Sequence, residues 1–326
     1  MLRHATGRLF QSIIVLAVMS FVIYALIGLM PGDPIDLMIS ADPKITSADA
    51  ERLRALQGLN LPIWTRYLNW LTAALSGDLG YSRLFARPVP DVLWPALGNT
   101  VLLMGLAFVI AALIGLPLGI CAATKPYSRT DYAVNLFAFA GISIPAFWLG
   151  LLLIIVFSVI LGWLPAGGTG ALSFGASGAS AFWEKARYLV LPVMTLVIAG
   201  AGGQTRYARA AMIETLRQDY IRTARAKGLG PGRVVLVHAL RNAMIPVVTI
   251  MALDFGNLFS GALITETIFA YPGMGKLIFD SIMGNDFNLA LVALLFATGV
   301  TIGGNILADL AYLWLDPRIS LAGNGK

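Results

Sequence analysis

RYARAAMIETLRQDYIRTARAKGLGPGRVVLVHALR, residues Arg206 to Arg241, interrupts a chain that is otherwise oily. It holds eight basic residues (Arg206, Arg209, Arg217, Arg222, Arg225, Lys227, Arg233 and Arg241) against Glu214 and Asp219, a net charge of +6. The whole 326-residue chain, with 23 basic and 17 acidic side chains, carries the same +6, so everything else balances at fifteen of each sign. One segment holds the entire charge bias. Around it 58% of residues are hydrophobic, only 12% are charged, and the mean hydropathy is +0.78; a soluble domain carries about a quarter charged residues. Six apolar runs are long enough to cross a hydrocarbon core of about 30 Å, which needs roughly 20 helical residues. The fold class is therefore all-α and polytopic, with six transmembrane helices.

On such a chain a pI near 9.5 reports cytoplasmic loops rather than nucleic acid. The basic stretch also has only Tyr207 and Tyr220 to stack on bases. The single cysteine, Cys121, sits in an apolar run and excludes a disulfide framework or a cysteine metal cluster. Arg3, His4 and Arg8 precede the first run as in a signal peptide. That run is too long for an h-region and has no A-x-A-like site, so it reads as a retained span.

The spans are expected at about 9–30, 99–123, 133–161 (kinked by Pro145), 188–203, 243–265 and 289–315. Met30-Pro-Gly-Asp-Pro34 ends the first. Thr46-Ser-Ala-Asp49 resembles a capping box opening a helix that stops at Gly58. The segment Ile63–Leu75, with Trp64, Tyr67, Leu68, Leu71 and Leu75 near one face, predicts a helix at the membrane interface. Gly115 and Gly119 are a small-residue pair suited to close helix contact, and Gly299 and Gly303 repeat the spacing. Six spans place both termini on one side. With the 2–3 and 4–5 loops that side holds fourteen of the 23 basic residues, and six of the other nine lie in the long 31–97 section. Long loops count little in the positive-inside rule, so the termini and basic stretch are expected in the cytoplasm. The organisation expected is residues 1–30 (N-terminus and first span), 31–97 (an extracytoplasmic insertion between helices 1 and 2) and 98–326 (a five-helix core with the cytoplasmic loop 206–241).

Several constellations are excluded by chemistry. Gly273-Met-Gly-Lys276 lacks the upstream glycine and following Ser/Thr of a phosphate loop. Gly175-Ala-Ser177-Gly178 has no base within reach, because His4 and His238 belong to the other side. Two histidines make no zinc site. Of the acids at membrane depth, Asp309 reads as a helix-end anchor. Asp254, deeper, is the candidate pathway residue, since an ionisable group there costs several kcal/mol unless it faces a cavity or partner.

Inside the basic stretch, Asp219 is expected to cap a helix from Tyr220 to Lys227 that Gly228 ends. Tyr220, Ala224 and Gly228 then align at i, i+4 and i+8, an aromatic anchor followed by small residues where another protein can approach. The glycines at 228, 230 and 232 return the chain to the membrane. A short helix so presented is a docking element.

This arrangement resembles the permease subunits of ATP-binding-cassette importers, whose cytoplasmic loop reads E-A-A-x-x-x-G-x9-I-x-L-P. Gly228 and Ala224 fill the glycine and second alanine; Arg222 and Thr223 replace the glutamate and first alanine, and of the closing motif only Leu240 matches. The departures fit the dipeptide/oligopeptide/nickel branch, B-type subunit. That likeness covers nearly the whole chain: Pro31-Gly-Asp-Pro34, Gly77-Asp-Leu-Gly80, Asn99-Thr100, Ser143-Ile-Pro-Ala-Phe-Trp-Leu-Gly150, Asp219 to Leu229, His238-Ala-Leu-Arg-Asn242, Thr265-Glu-Thr-Ile-Phe269, Tyr271-Pro-Gly273 and Asp316-Pro-Arg318.

The resemblance implies the ABC importer permease fold in a bacterial inner membrane and a non-catalytic subunit that binds no cofactor. It implies a second homologous permease as hetero-dimer partner and two ATPase subunits using ATP and Mg. It also implies an extracytoplasmic solute-binding protein, membrane lipid around the bundle and no nucleic acid. Asp219, Tyr220, Arg222, Thr223, Ala224, Arg225, Lys227 and Gly228 would form the ATPase-coupling helix; Asp254 has no place in the family pattern. Relatives carry peptides, nickel complexes, glutathione, sugars or opines, so a peptide or related small solute is expected. A secondary transporter or channel acting alone is the alternative; it predicts broken-helix signals in two related halves, and no such repeat is seen. A membrane enzyme fails for want of a base near a nucleophile.

Overall fold

The computed structural model describes residues 2–29, 49, 51–52, 55, 60–170, 179–257 and 262–315, with backbone only for 2–6, 179, 252–257 and 307–315. The Pro31–Pro34 turn, residues 46–48 of the capping box, Gly175–Gly178, Asp316-Pro-Arg318 and the side chains of Asp254 and Asp309 lie outside the described residues.

Helix α1 (Leu2–Ile27) leads to α2 (Ile63–Leu75), a two-residue hairpin (β1, Tyr81–Ser82; β2, Arg87–Pro88) and the long α3 (Val89–Thr124). Next come α4 (Arg129–Ser143), α5 (Ala146–Leu153, continuing as a π-helical run Ile154–Ile160), α6 (Ala179–Leu216) and the short α7 (Asp219–Ala226). A single turn at Pro231–Arg233 and a second π run, Val234–Ala239, feed α8 (Leu240–Asn257); α9 (Leu263–Ile268), α10 (Met274–Met283) and α11 (Phe287–Leu315) close the chain. Among the described residues, five stretches can cross a membrane by length and composition: Gly7–Ile27, Val89–Thr124, Ser180–Leu216, Pro231–Met251 and Phe287–Ile306. The pair Arg129–Ser143 and Ala146–Ile160 makes a sixth if counted together, bent by 99° at its break.

Three expectations need correcting. The third span is broken, not merely kinked: Pro145 has no N–H for the ladder and biases Ile144 to an extended conformation (ψ 122°), so the helix stops and restarts. The second span begins ten residues earlier than Asn99, because Pro88-Val-Pro90 suits a helix start, where a missing N–H costs nothing, and Asp91 complements the dipole. The fourth helix runs on past Gly203 to Leu216, so the first eleven residues of the basic stretch belong to it.

Helix α2 forms with the bounds the pattern predicts. Trp64 stacks on Phe21, Tyr67 meets Phe21 and Tyr24 edge-on, and Ser20 and the Tyr67 hydroxyl share a 2.6 Å hydrogen bond. Leu68 and Leu75 stay exposed, so the apolar face is only partly used on α1.

Helix α6 is wedged between α3 and α4. In lipid the apolar effect between helices is absent and close contact of small residues carries the association. A Cβ on Gly115 would stand 2.8 Å from the Ala201 carbonyl, and one on Gly119 would meet the Thr205 carbonyl and lie 2.8 Å from Ala208 Cβ. The Gly115/Gly119 pair thus makes the expected close contact. Gly299 and Gly303 make none among the described residues: the nearest atom is 3.8 Å away at the first, and none lies within 4 Å at the second. At one end Val89, Leu93, Met274, Leu277, Leu289 and Val292 form a cluster; nearby, Leu103, Leu149, Leu191, Phe269 and Tyr271 form a second.

Candidate functional site

An eight-residue helix is too short to persist on its own; α7 is held by what it covers. Ile221 and Ala224 pack into a cluster with Ala123, Met212, Val234, Ala239 and Ala243. Burial of Ile221 is worth about 1.5–3 kcal/mol. Every charged residue of α7 points away from that cluster: Asp219, Arg222 and Arg225 are exposed, as are Lys227, Arg217, Arg233 and Arg241 around it. The Thr223 hydroxyl donates to the Asp219 carbonyl (3.0 Å), and Asn242 Nδ2 donates to the Tyr220 hydroxyl (3.0 Å). The last bond joins two sequence blocks, Asp219–Leu229 and His238–Asn242, into one device.

Two details differ from the sequence reading. Asp219 does not cap: the N-cap is Gln218, without a side-chain bond, and Asp219 is the first helical residue. Its carboxylate complements the helix dipole there and pairs with Arg222 at 3.4 Å. Ala224 is not an approach point for a partner. It is 5% exposed and faces the chain's own core, because the i+4 alignment with Tyr220 and Gly228 matters less than its i+3 neighbour Ile221. Gly228 keeps its expected role. With φ +76° it sits in the left-handed region; its N–H donates to Arg225 (3.0 Å) and that of Leu229 to Ala224 (3.4 Å), a Schellman ending. A Cβ there would meet nothing within 4 Å among the described residues, so Gly228 is an open edge among them.

A buried ion pair ties the foot of this device to the neighbouring span. Asp131, 2% exposed, receives both prongs of Arg209, at 2.6 Å from Nε and 2.7 Å from Nη2. Asn135 Nδ2 (2.7 Å) and the Tyr127 N–H (2.8 Å) complete its shell, and its own N–H donates to the Ser128 cap (3.2 Å). Four bonds satisfy the carboxylate's lone pairs. Residues 127–131 and the basic stretch therefore lie at the same end of the bundle.

A second buried carboxylate was not singled out from sequence. Glu266, fully buried, accepts from the Thr100 hydroxyl (2.7 Å) and from the Lys276 N–H (3.0 Å) in the first turn of α10. Thr100 in turn accepts from the Met274 N–H (2.8 Å). Alongside, Asn99 donates to the Pro272 carbonyl (2.9 Å) and the Tyr271 hydroxyl to the Asn99 carbonyl (3.1 Å). Burial, and then the nearby Glu266, push the Tyr271 phenol up to about 12, so it stays a donor throughout the neutral range. Asn99-Thr100, Thr265–Phe269 and Tyr271–Gly273, three separate blocks of the sequence reading, meet in this one network. A glutamate inside an apolar neighbourhood was the available signal. Asp254 lies on α8, and its side chain is among those not described. Among the described residues no three His, Cys, Asp or Glu side chains come together as metal ligands.

Comparisons with known proteins bear on this arrangement. The family model described as "binding-protein-dependent transport system inner membrane component" matches residues 115–321, and the model for the N-terminal part of the same component matches residues 1–100. The oligopeptide transport system permease protein AppB of Bacillus subtilis is 39% identical over 98% of this chain and 99% of its own length. The dipeptide transport system permease protein DppB of Alkalihalophilus pseudofirmus is 38% identical over 98% and 99%. The glutathione transport system permease protein GsiC of Escherichia coli O6:H1 is 37% identical over the same shares. A chain of the MetNI methionine ABC transporter, solved in an inward-facing conformation, matches 70% of this chain and 98% of its own, with a TM-score of 0.56 at 18% identity, a likeness of fold.

Proposed function

Because this chain belongs to the family of binding-protein-dependent transport system inner membrane components, we propose that it carries short peptides and couples to its ATPase through α7. It is the multi-pass inner-membrane permease of an ABC importer, a transporter subunit and not the ATPase itself. The peptide assignment rests on relatives named for oligopeptides, dipeptides and glutathione, itself a tripeptide. We take the remaining partners to be a second homologous permease forming the pore as a hetero-dimer, two ATPases using ATP and Mg, and an extracytoplasmic solute-binding protein. The termini and the 206–241 loop are assigned to the cytoplasm and 31–97 to the other side. The common end of the 125–131 turn and the basic stretch supports that orientation.

One observation carries the coupling assignment: α7 seals itself to the bundle through Ile221 and Ala224 and turns Arg222, Thr223, Arg225 and Lys227 outward. Force on that helix passes into α6 and α8 rather than being lost in a loop. Closure of the ATPase dimer would then swing the permease by a rigid-body motion. Asp254, on α8, remains the proposed pathway residue.

ATP-driven peptide uptake into proteoliposomes holding the complete importer tests these roles. Gly228→Trp should abolish coupled uptake and ATPase capture while the bundle stays folded; survival of both would remove α7 from its role. In the same assay, unchanged kinetics in Asp254→Asn would take Asp254 off the pathway. Uptake by this chain without ATPase subunits would sink the importer reading.

A further inference from the structure

Beside α7 an open cleft of about 520 Å³ is lined by Pro126, Tyr127, Arg209, Ala210, Ile213, Glu214, Arg217 and Gln218. Three features set it apart from an ordinary surface groove. Tyr127 is 76% exposed and has φ +63°, a backbone region that bulky residues avoid. Its N–H bonds Asp131 Oδ2, so the buried Arg209–Asp131 pair is what holds the strained turn in place. An aromatic ring is thus kept exposed by an interaction network built beneath it. Strained, over-determined residues of this kind mark ligand clamps and switch regions more than inert loops.

The cleft is also continuous with the coupling helix. Gln218, on its wall, is the N-cap of α7, so a partner that grips α7 faces the cleft without a gap. Within the lining Glu214 offsets Arg217 and Asp131 neutralises Arg209, so the excess positive charge at the mouth of the cleft comes from exposed Lys125 and Arg129 in the adjoining turn.

We propose that this cleft is a second docking site for the ATPase subunit that holds α7. It takes an acidic segment of that subunit, with an apolar side chain seated on Tyr127 and Ile213. The proposal rests on the α7 reading and adds a contact to it. Two contacts, one on α7 and one at the turn between α3 and α4, grip two spans at once. The ATPase then moves both as a unit instead of pulling on a single helix.

The test uses the complete importer with a photoreactive phenylalanine derivative in place of Tyr127 or, separately, Arg222. Capture of the ATPase from both positions supports the proposal. Capture from Arg222 alone, or capture of lipid at Tyr127, overturns the second contact and leaves α7 as the dock. Capture from Tyr127 alone supports the cleft and overturns the α7 assignment; capture from neither overturns both. The acidic occupant has its own arm. Arg217→Glu should weaken ATPase capture by up to about fivefold at physiological salt, the most an exposed pair is worth, and Arg217→Lys should restore it. Equal capture by Arg217→Glu and the native chain would overturn the charge assignment.

Discussion

Two of the three buried carboxylates among the described residues, Glu266 and Asp131, sit at the two ends of the bundle and are stabilised in opposite ways. Among the described residues Glu266 has no guanidinium or ammonium on it; a hydroxyl and a helix-terminal N–H satisfy it, with Gly273 and Gly275 pressed against its carboxyl group. Asp131 has a full bidentate arginine and a side-chain amide. The first site welds the top of α3 to the α9–α10 corner, and every partner is backbone or a short side chain. The second ties α4 to α6 through a long side chain that is 23% exposed. A network of short, buried donors has no slack. An arginine at the edge of solvent can shift, rehydrate and return. The difference points to a fixed corner at one end and a tolerant joint at the end where the ATPase is proposed to act.

The largest effect should come from breaking the fixed corner. Glu266→Ala leaves the Lys276 N–H without its acceptor, deprives the Thr100 hydroxyl of its own, and opens a cavity beside Phe269 and Met274. Two unsatisfied buried groups cost about 1–3 kcal/mol each, and the cavity adds to them. The expected outcome is loss of a well-packed protein, read as a drop of many degrees in the Tm of the purified importer or as failure to accumulate in the membrane. Glu266→Gln keeps the shape and one acceptor oxygen and should recover part of it. A Glu266→Ala chain with native Tm would show that the corner does not hold the fold.

Much of this molecule was legible in its sequence, and the limits are specific. Helix α2, the close contact of Gly115 and Gly119, and the α7–Gly228 unit follow from short-range patterns: periodicity, small-residue spacing and a left-handed cap. The inward face of Ala224 was misjudged because an eight-residue helix shows too few turns for its buried side to be chosen from spacing alone. The break at Ile144–Pro145 was underestimated because a proline in a span announces a bend but not its size. The two carboxylates were missed for another reason. Thr100 and Glu266 are 166 positions apart, and Asp131 and Arg209 are 78 apart. Nothing local distinguishes Asp131 from a loop acid, and the apolar neighbourhood of Glu266 signals burial without naming its partners. The collinear blocks nevertheless contained three of the four elements of the corner, so the resemblance located residues whose physical roles it could not state.

The tolerant joint should fail more gently. Asp131→Asn removes the charge and one oxygen, leaving Arg209 partly buried with a weaker acceptor. Removing one partner of a fully buried pair costs about 3–5 kcal/mol; access of Arg209 to water reduces this to about 2 kcal/mol. A smaller shift in Tm than in Glu266→Ala is expected, together with a loosened Tyr127 turn, since its N–H loses a charged acceptor.

Arg209→Lys sharpens the distinction further and should have the smallest effect. It keeps the cation and its contact with Asp131 but loses the planar fork that places two parallel hydrogen bonds. If charge is what the joint needs, Arg209→Lys should remain within about 1 kcal/mol of the native chain, while uptake falls only as far as the Tyr127 turn drifts. If geometry is what it needs, the lysine variant should resemble Asp131→Asn in both Tm and uptake. The second result would make this end as rigid as the Glu266 corner and would erase the contrast between them. A Tm near native with uptake reduced several-fold would keep the contrast and locate the arginine's value in positioning the turn rather than in holding the fold.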